Sequence, residues 1–186
     1  MSILVEINFT IESKEPMKGL LVALLLIVFV KSGAQGQITL KTIVNELAAG
    51  ERIESELIGA NAMPSAQHHL YEKLVAIADD ETLLSLTFHT SPIVQYFAAK
   101  GLTDKNADLF LKALHQLEGD NSEITIQNGC IVNRTKLNEA LTNLAYYKFI
   151  HKKKKITISA KEKSFIEERY HYFQKQSLDR YKSERN

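Results

Sequence analysis

Tryptophan is absent from the sequence, and cysteine occurs once, at position 130. One cysteine makes neither a disulfide within the chain nor a four-cysteine zinc site. Only 8 Gly and 3 Pro occur among 186 residues. That scarcity disfavours a turn-rich β protein and leaves room for long helices. Neither sign of charge is in excess, with 23 Lys+Arg against 22 Asp+Glu and a net of +1. A protein that coats nucleic acid carries a large positive excess, so nucleic acid is set aside as a partner. No GxSxG, GxGxxG, Walker loop or HExxH is present, and nothing else points to a cofactor or to catalysis. What remains is an ordinary globular composition, 45% hydrophobic and 24% charged. Its length suits one domain that buries a core without staples.

The longest apolar run is short. Gly19–Val30 lies between Lys18 and Lys31, whereas a membrane span needs roughly 20 apolar residues. Twelve residues match the h-region of a signal peptide. Ala34 and Gly36 then supply small side chains at the −3 and −1 positions, which predicts cleavage between Gly36 and Gln37. Residues 17–36 therefore read as a signal peptide. Residues 1–16 fit badly, because Glu6, Glu12 and Glu15 outnumber Lys14 where an n-region should be basic. They read as a start-site extension, with initiation at Met17. The expected product is a periplasmic or secreted protein. No Cys follows the run closely enough for lipid attachment. The alternative is an uncleaved anchor that keeps the protein on a membrane. A buried core helix is the third reading of 19–30.

From Gln37 the periodicity is helical. Thr39 can cap a helix with Leu40, Ile43, Val44 and Leu47 on one side, stopped at Gly50. Glu51–Ile58 reads as a second short helix and Ser65–Ala78 as a longer one. Asp79-Asp80-Glu81 opens another with negative charge at its N-terminus. Ser91-Pro92 is an N-cap followed by Pro at N1. The helix it opens is predicted over 92–100, ended by Gly101. Asp104 is the predicted cap of the next, carrying Leu109, Phe110, Ala113, Leu114 and Leu117. Glu123–Val132 alternates like a strand or extended loop, too short for a sheet alone. Asn133 or Thr135 is predicted to cap a helix through Tyr147. Ser159-x-x-Glu162 is a capping box, opening a charged helix with Ile166, Tyr170 and Phe173 on one side.

The stretch Leu83–Leu102, LLSLTFHTSPIVQYFAAKGL, resembles a HEAT-type helical repeat, with Gln95 where such repeats often carry Arg. Asp80–Leu141, including Gln127-Asn128-Gly129-Cys130-Ile131-Val132, resembles a group of uncharacterised exported bacterial proteins with a small HEAT-like helical domain. The resemblance covers about a third of the chain and implies fold and export, not an activity. The expected fold is all-α: an α-solenoid-like, HEAT-like helical-hairpin domain over 37–150, with one short extended segment near 123–132. Residues 151–186 form a basic linker and helix. Such a stack offers a concave face to a protein or peptide partner.

Candidate chemistry is thin. His68, His69 and Glu72 could place a His/carboxylate pair at i, i+4, but the weight falls on a polar helix face. His89 and His115 fit turn hydrogen bonding at helix ends. Cys130 could serve a small thiol enzyme, yet Ile131-Val132 beside it argue for a buried structural cysteine. Charge distribution is more telling. Residues 37–147 hold 8 Lys+Arg and 14 Asp+Glu, net −6, while 148–186 hold 12 and 5, net +7. The basic segment either packs on the acidic body, lies solvated, or contacts an anionic membrane surface through Lys152, Lys153, Lys154 and Lys155.

Overall fold

A computed structural model gives the structure, which describes residues 39–151 and 158–183. Every described element belongs to one compact unit that begins at Thr39. Helix α1 (Leu40–Ala48) starts where expected: Thr39 Oγ1 accepts from the Thr42 N–H at 3.2 Å, and Ile43, Val44 and Leu47 are buried. The next segment departs from expectation. Glu51–Ile58 is not a helix; it contains strand β1 (Ile53–Ile58). Gln67 ties down the start of this strand, accepting from the Glu54 N–H at 2.8 Å and donating to the Arg52 carbonyl at 2.7 Å. A turn through Gly59 leads to the two-residue strand β2 (Met63–Pro64).

Four helices follow. Helix α2 (Ala66–Ile77) is capped by Ser65, whose Oγ accepts from the His68 N–H and donates to Glu54 Oε2. Helix α3 (Asp80–Leu86) is capped by Asp79, whose carboxylate accepts from the Thr82 N–H at 2.8 Å. Hydrogen bonding from Thr82 holds that carboxyl below its usual range. Helix α4 (Pro92–Lys105) has Pro at N1, but Ser91 makes no side-chain cap. The Ser91 N–H instead donates to His89 Nδ1 at 3.0 Å. Gly101 does not end α4. It is buried mid-helix, where an added Cβ would stand 3.1 Å from Val75 Cγ2 and 3.3 Å from Leu83 Cδ1. Here glycine serves close packing rather than termination. The stop comes at Asn106, which replaces Asp104 as the cap of α5 (Ala107–Gln116), accepting from the Leu109 N–H at 3.2 Å.

The all-α expectation fails most clearly after α5. Residues 123–136 form a β-hairpin, β3 (Glu123–Gly129) and β4 (Ile131–Lys136), running through the predicted caps Asn133 and Thr135. Gly129 takes φ +59° as the first central residue of the two-residue turn, the position where a type II′ turn requires glycine. β3 also pairs in parallel with β1, Ile53 opposite Ile126, to give a four-stranded mixed sheet in the order β2-β1-β3-β4. The protein is therefore an α/β fold, not an all-α HEAT-like stack. Strands of this length need partners to persist. β3 finds one beside it in sequence and another contributed by β1.

Helix α6 (Leu137–Ala145) continues through a π-helical segment (Tyr146–His151), and α7 (Ala160–Ser183) is the last of the described elements. Ser159 Oγ accepts from the Glu162 N–H at 3.1 Å, as the capping box predicts. α4 is the central helix, with Ile93, Val94, Phe97, Ala98, Ala99 and Leu102 buried. Around it sit Leu47, Leu74, Leu83, Phe110 and Leu141, with Ile53 and Ile124 brought in by the sheet.

Candidate functional site

The hairpin forms one wall of a cleft. Along β3 and β4 side chains alternate between the two faces of the sheet. Ile124, which is buried, pairs with Thr135, and Ile126 pairs with Asn133. These four residues share the face turned toward the helices. Between that face and α6 lies a cleft of about 540 Å³. Its sheet side presents Ile126, Asn133 and Thr135; its helix side presents Asn143, Leu144 and Tyr147. Tyr96 and Glu139 also line it.

Its polar groups are unevenly satisfied. Thr135 Oγ1 and Asn143 Oδ1 are buried atoms without a hydrogen-bond partner among the described residues. Glu139, only 7% exposed, is held by Arg180 Nη2 at 3.5 Å and receives a hydrogen bond from Ser177 Oγ at 3.3 Å, both on α7. Burial pushes the Tyr96 hydroxyl up to about 12. Tyr147 continues the wall through a hydrogen bond with Tyr170, which raises the Tyr170 hydroxyl to about 12. Tyr170 in turn stacks on Tyr146 with centroids 3.7 Å apart.

Leu144 and Tyr147 also line a smaller pocket of about 170 Å³ with Lys100, Asp104 and Lys148. Lys148 forms an ion pair with Asp104. The Lys100 ammonium stands 4.2 Å from the Tyr71 ring centroid, and burial lowers its pKa. A cation over an aromatic face recovers part of its lost hydration from the ring quadrupole. The combined surface mixes Leu144, Tyr96 and Tyr147 with the amides of Asn133 and Asn143 and with the charged Glu139, Lys100, Asp104 and Lys148.

The residues singled out from sequence are scattered. His68 and His69 both approach Glu72, at 3.9 and 3.5 Å. Among the described residues no group of three or more His, Cys, Asp or Glu could hold a metal ion. His89 accepts the turn hydrogen bond described above. His115 Nε2 lies 2.9 Å from Glu162 Oε2, joining α5 to α7. Cys130 is exposed at the hairpin turn rather than buried, since β3 and β4 carry it away from the core. Two-residue hairpin loops stand clear of the sheet, so its apolar neighbours do not imply burial. Lys152, Lys153, Lys154 and Lys155, and the cleavage pair Gly36 and Gln37, lie outside the described residues. The described part of the basic segment packs on the body: Arg169 pairs with Glu118, Arg180 with Glu139 and Lys148 with Asp104.

The cleft residues were not foreseen. Gly129-Cys130 between alternating runs was their available signal, because Gly-X is a hairpin loop. No protein-family model matches the chain, and no curated protein matches it. Among the described residues no helix is long and apolar enough to cross a membrane.

Proposed function

We propose that this is an exported, non-catalytic binding protein that holds a segment of a protein partner in the cleft between the β3–β4 hairpin and α6. The observation that carries this reading is the cleft itself, about 540 Å³ and lined by Leu144, Tyr147, Asn143 and Thr135, with two buried polar atoms that have no partner among the described residues. Apolar walls supply affinity and the few polar groups fix orientation. The check is capture of envelope proteins on the full chain, repeated with Leu144→Arg. A protein retained by the wild type and lost by the variant is expected. Identical retention by both overturns the cleft as the site.

Export is supported by the 17–36 pattern. N-terminal sequencing of the protein from the periplasm or medium should begin at Gln37. An intact 19–30 segment in the membrane fraction overturns cleavage. The lipid-facing alternative rests on Lys152–Lys155, since Lys148, Arg169 and Arg180 are already paired with carboxylates.

A further inference from the structure

Building on the binding reading, we infer that the partner's segment is extended and acidic and adds as a fifth strand to the free edge of β4, with alternate side chains turned toward the cleft. β4 is the outer strand of the sheet. Its hairpin closes at Asn128 opposite Ile131 with two residues between. In that geometry Ile131, Asn133 and Thr135 exchange hydrogen bonds with β3, while Val132 and Arg134 turn their backbone N–H and C=O outward. Those outward groups find no partner among the described residues. Beside the turn Ile131 is 60% and Val132 51% exposed. The opposite edge is the two-residue β2, too short to template a strand.

Charge selects the occupant. β4 carries Arg134 and Lys136 and no acidic residue. Among the described residues Arg134 has no carboxylate partner, while Lys136 donates to Asn121 Oδ1 at 3.2 Å and stands opposite Glu123 in the ladder. An acidic strand neutralises Arg134 foremost. A second copy of β4 would bring cations against cations, which is unfavourable across a ladder. The pleat sets the pattern. Alternate side chains of an added strand fall toward the cleft, whose polar lining includes Asn133, Thr135 and Asn143. The side chains between them lie on the face of Arg134 and Lys136. The fitting segment thus alternates acidic residues with residues bearing a hydroxyl or amide. Strand addition draws affinity from main-chain bonds and specificity from alternate side chains.

The test is fluorescence anisotropy with the full chain and a fluorescein-labelled peptide alternating Glu and Ser. Two control peptides accompany it: one with Lys for Glu, and one N-methylated at alternate amides. Saturable binding of the Glu/Ser peptide is expected, weakened about tenfold or more by either change. Val132→Pro, which removes one outward N–H and leaves the β3 ladder intact, should weaken it equally. Should that variant lose its circular dichroism signature, Arg134→Glu carries the same expectation. Equal binding of the N-methylated peptide overturns strand addition in favour of charge alone. A chain dimer abolished by Arg134→Glu overturns it in favour of a second copy. No peptide binding at all overturns strand addition, while the binding reading is judged separately by the Leu144→Arg capture.

Discussion

Whether α7 belongs to the body or merely trails from it is decided by one substitution, Ile166→Ala. Ile166 is fully buried and Phe173 is 4% exposed; they are the buried residues of a 24-residue helix. Two ion pairs, Arg169–Glu118 and Arg180–Glu139, and the His115–Glu162 contact help seat it. Such pairs contribute about 0–1 kcal/mol each where solvent reaches them. Burying Ile166 and Phe173 contributes about 1.5–3 kcal/mol each. The apolar anchors therefore dominate, and removing one should be felt. Truncating a buried isoleucine to alanine costs about 2–5 kcal/mol. In a chain of this size that lowers Tm by roughly 5–15 °C. The assay is thermal unfolding by circular dichroism, at low salt and at about 1 M salt, where screening extends over only about 3 Å. The variant should be destabilised similarly in both. A change within about 0.5 kcal/mol, as for an exposed site, would refute the docking of α7. A loss seen only at low salt would refute the ranking of apolar over ionic anchoring.

Two further outcomes follow from single residues. Gly129 holds φ +59° at the hairpin turn, so Gly129→Ala should cost about 1 kcal/mol. Denaturant unfolding reads that cost, and an unchanged midpoint would mean that the turn is built otherwise. Burial keeps the Tyr96 hydroxyl neutral up to about 12. Because the folded value is raised above the unfolded one, its stabilising contribution is complete below about pH 10 and is lost as pH climbs toward the folded value. Tyr96→Phe should flatten the alkaline limb of the stability curve, and an identical limb would show that another group sets it.

Four helix starts were legible because their caps are local, whereas Asp104, Asn133 and Thr135 proved not to be caps. Thr39, Ser65, Asp79 and Ser159 bond to an N–H within three residues, so spacing alone reveals them. Gly101 misled because glycine between apolar runs reads as a stop. Its lack of Cβ is used instead by Val75 and Leu83, which come from other helices. The sheet was hidden for a related reason. β1 pairs with a strand far along the chain, Ile53 with Ile126, and nothing in Ile53–Ile58 names that partner. The acidic body and basic segment were visible in the sequence, yet which cation meets which carboxylate depends on where α7 lies. The cleft inherits both problems, since the hairpin makes one wall and α6 the other.

The account stands or falls on β4 as an open edge strand. Residue-resolved amide hydrogen exchange on the full chain tests this directly. A free edge predicts alternation of period two: Ile131, Asn133 and Thr135 protected by their bonds to β3, Val132 and Arg134 exchanging rapidly into water. Adding the Glu/Ser peptide should slow Val132 and Arg134 selectively. Continuous protection from Asn133 onward would mean that a helix begins there. Uniform protection across 131–135 without peptide would mean that the edge is already covered. Either result would contradict the account.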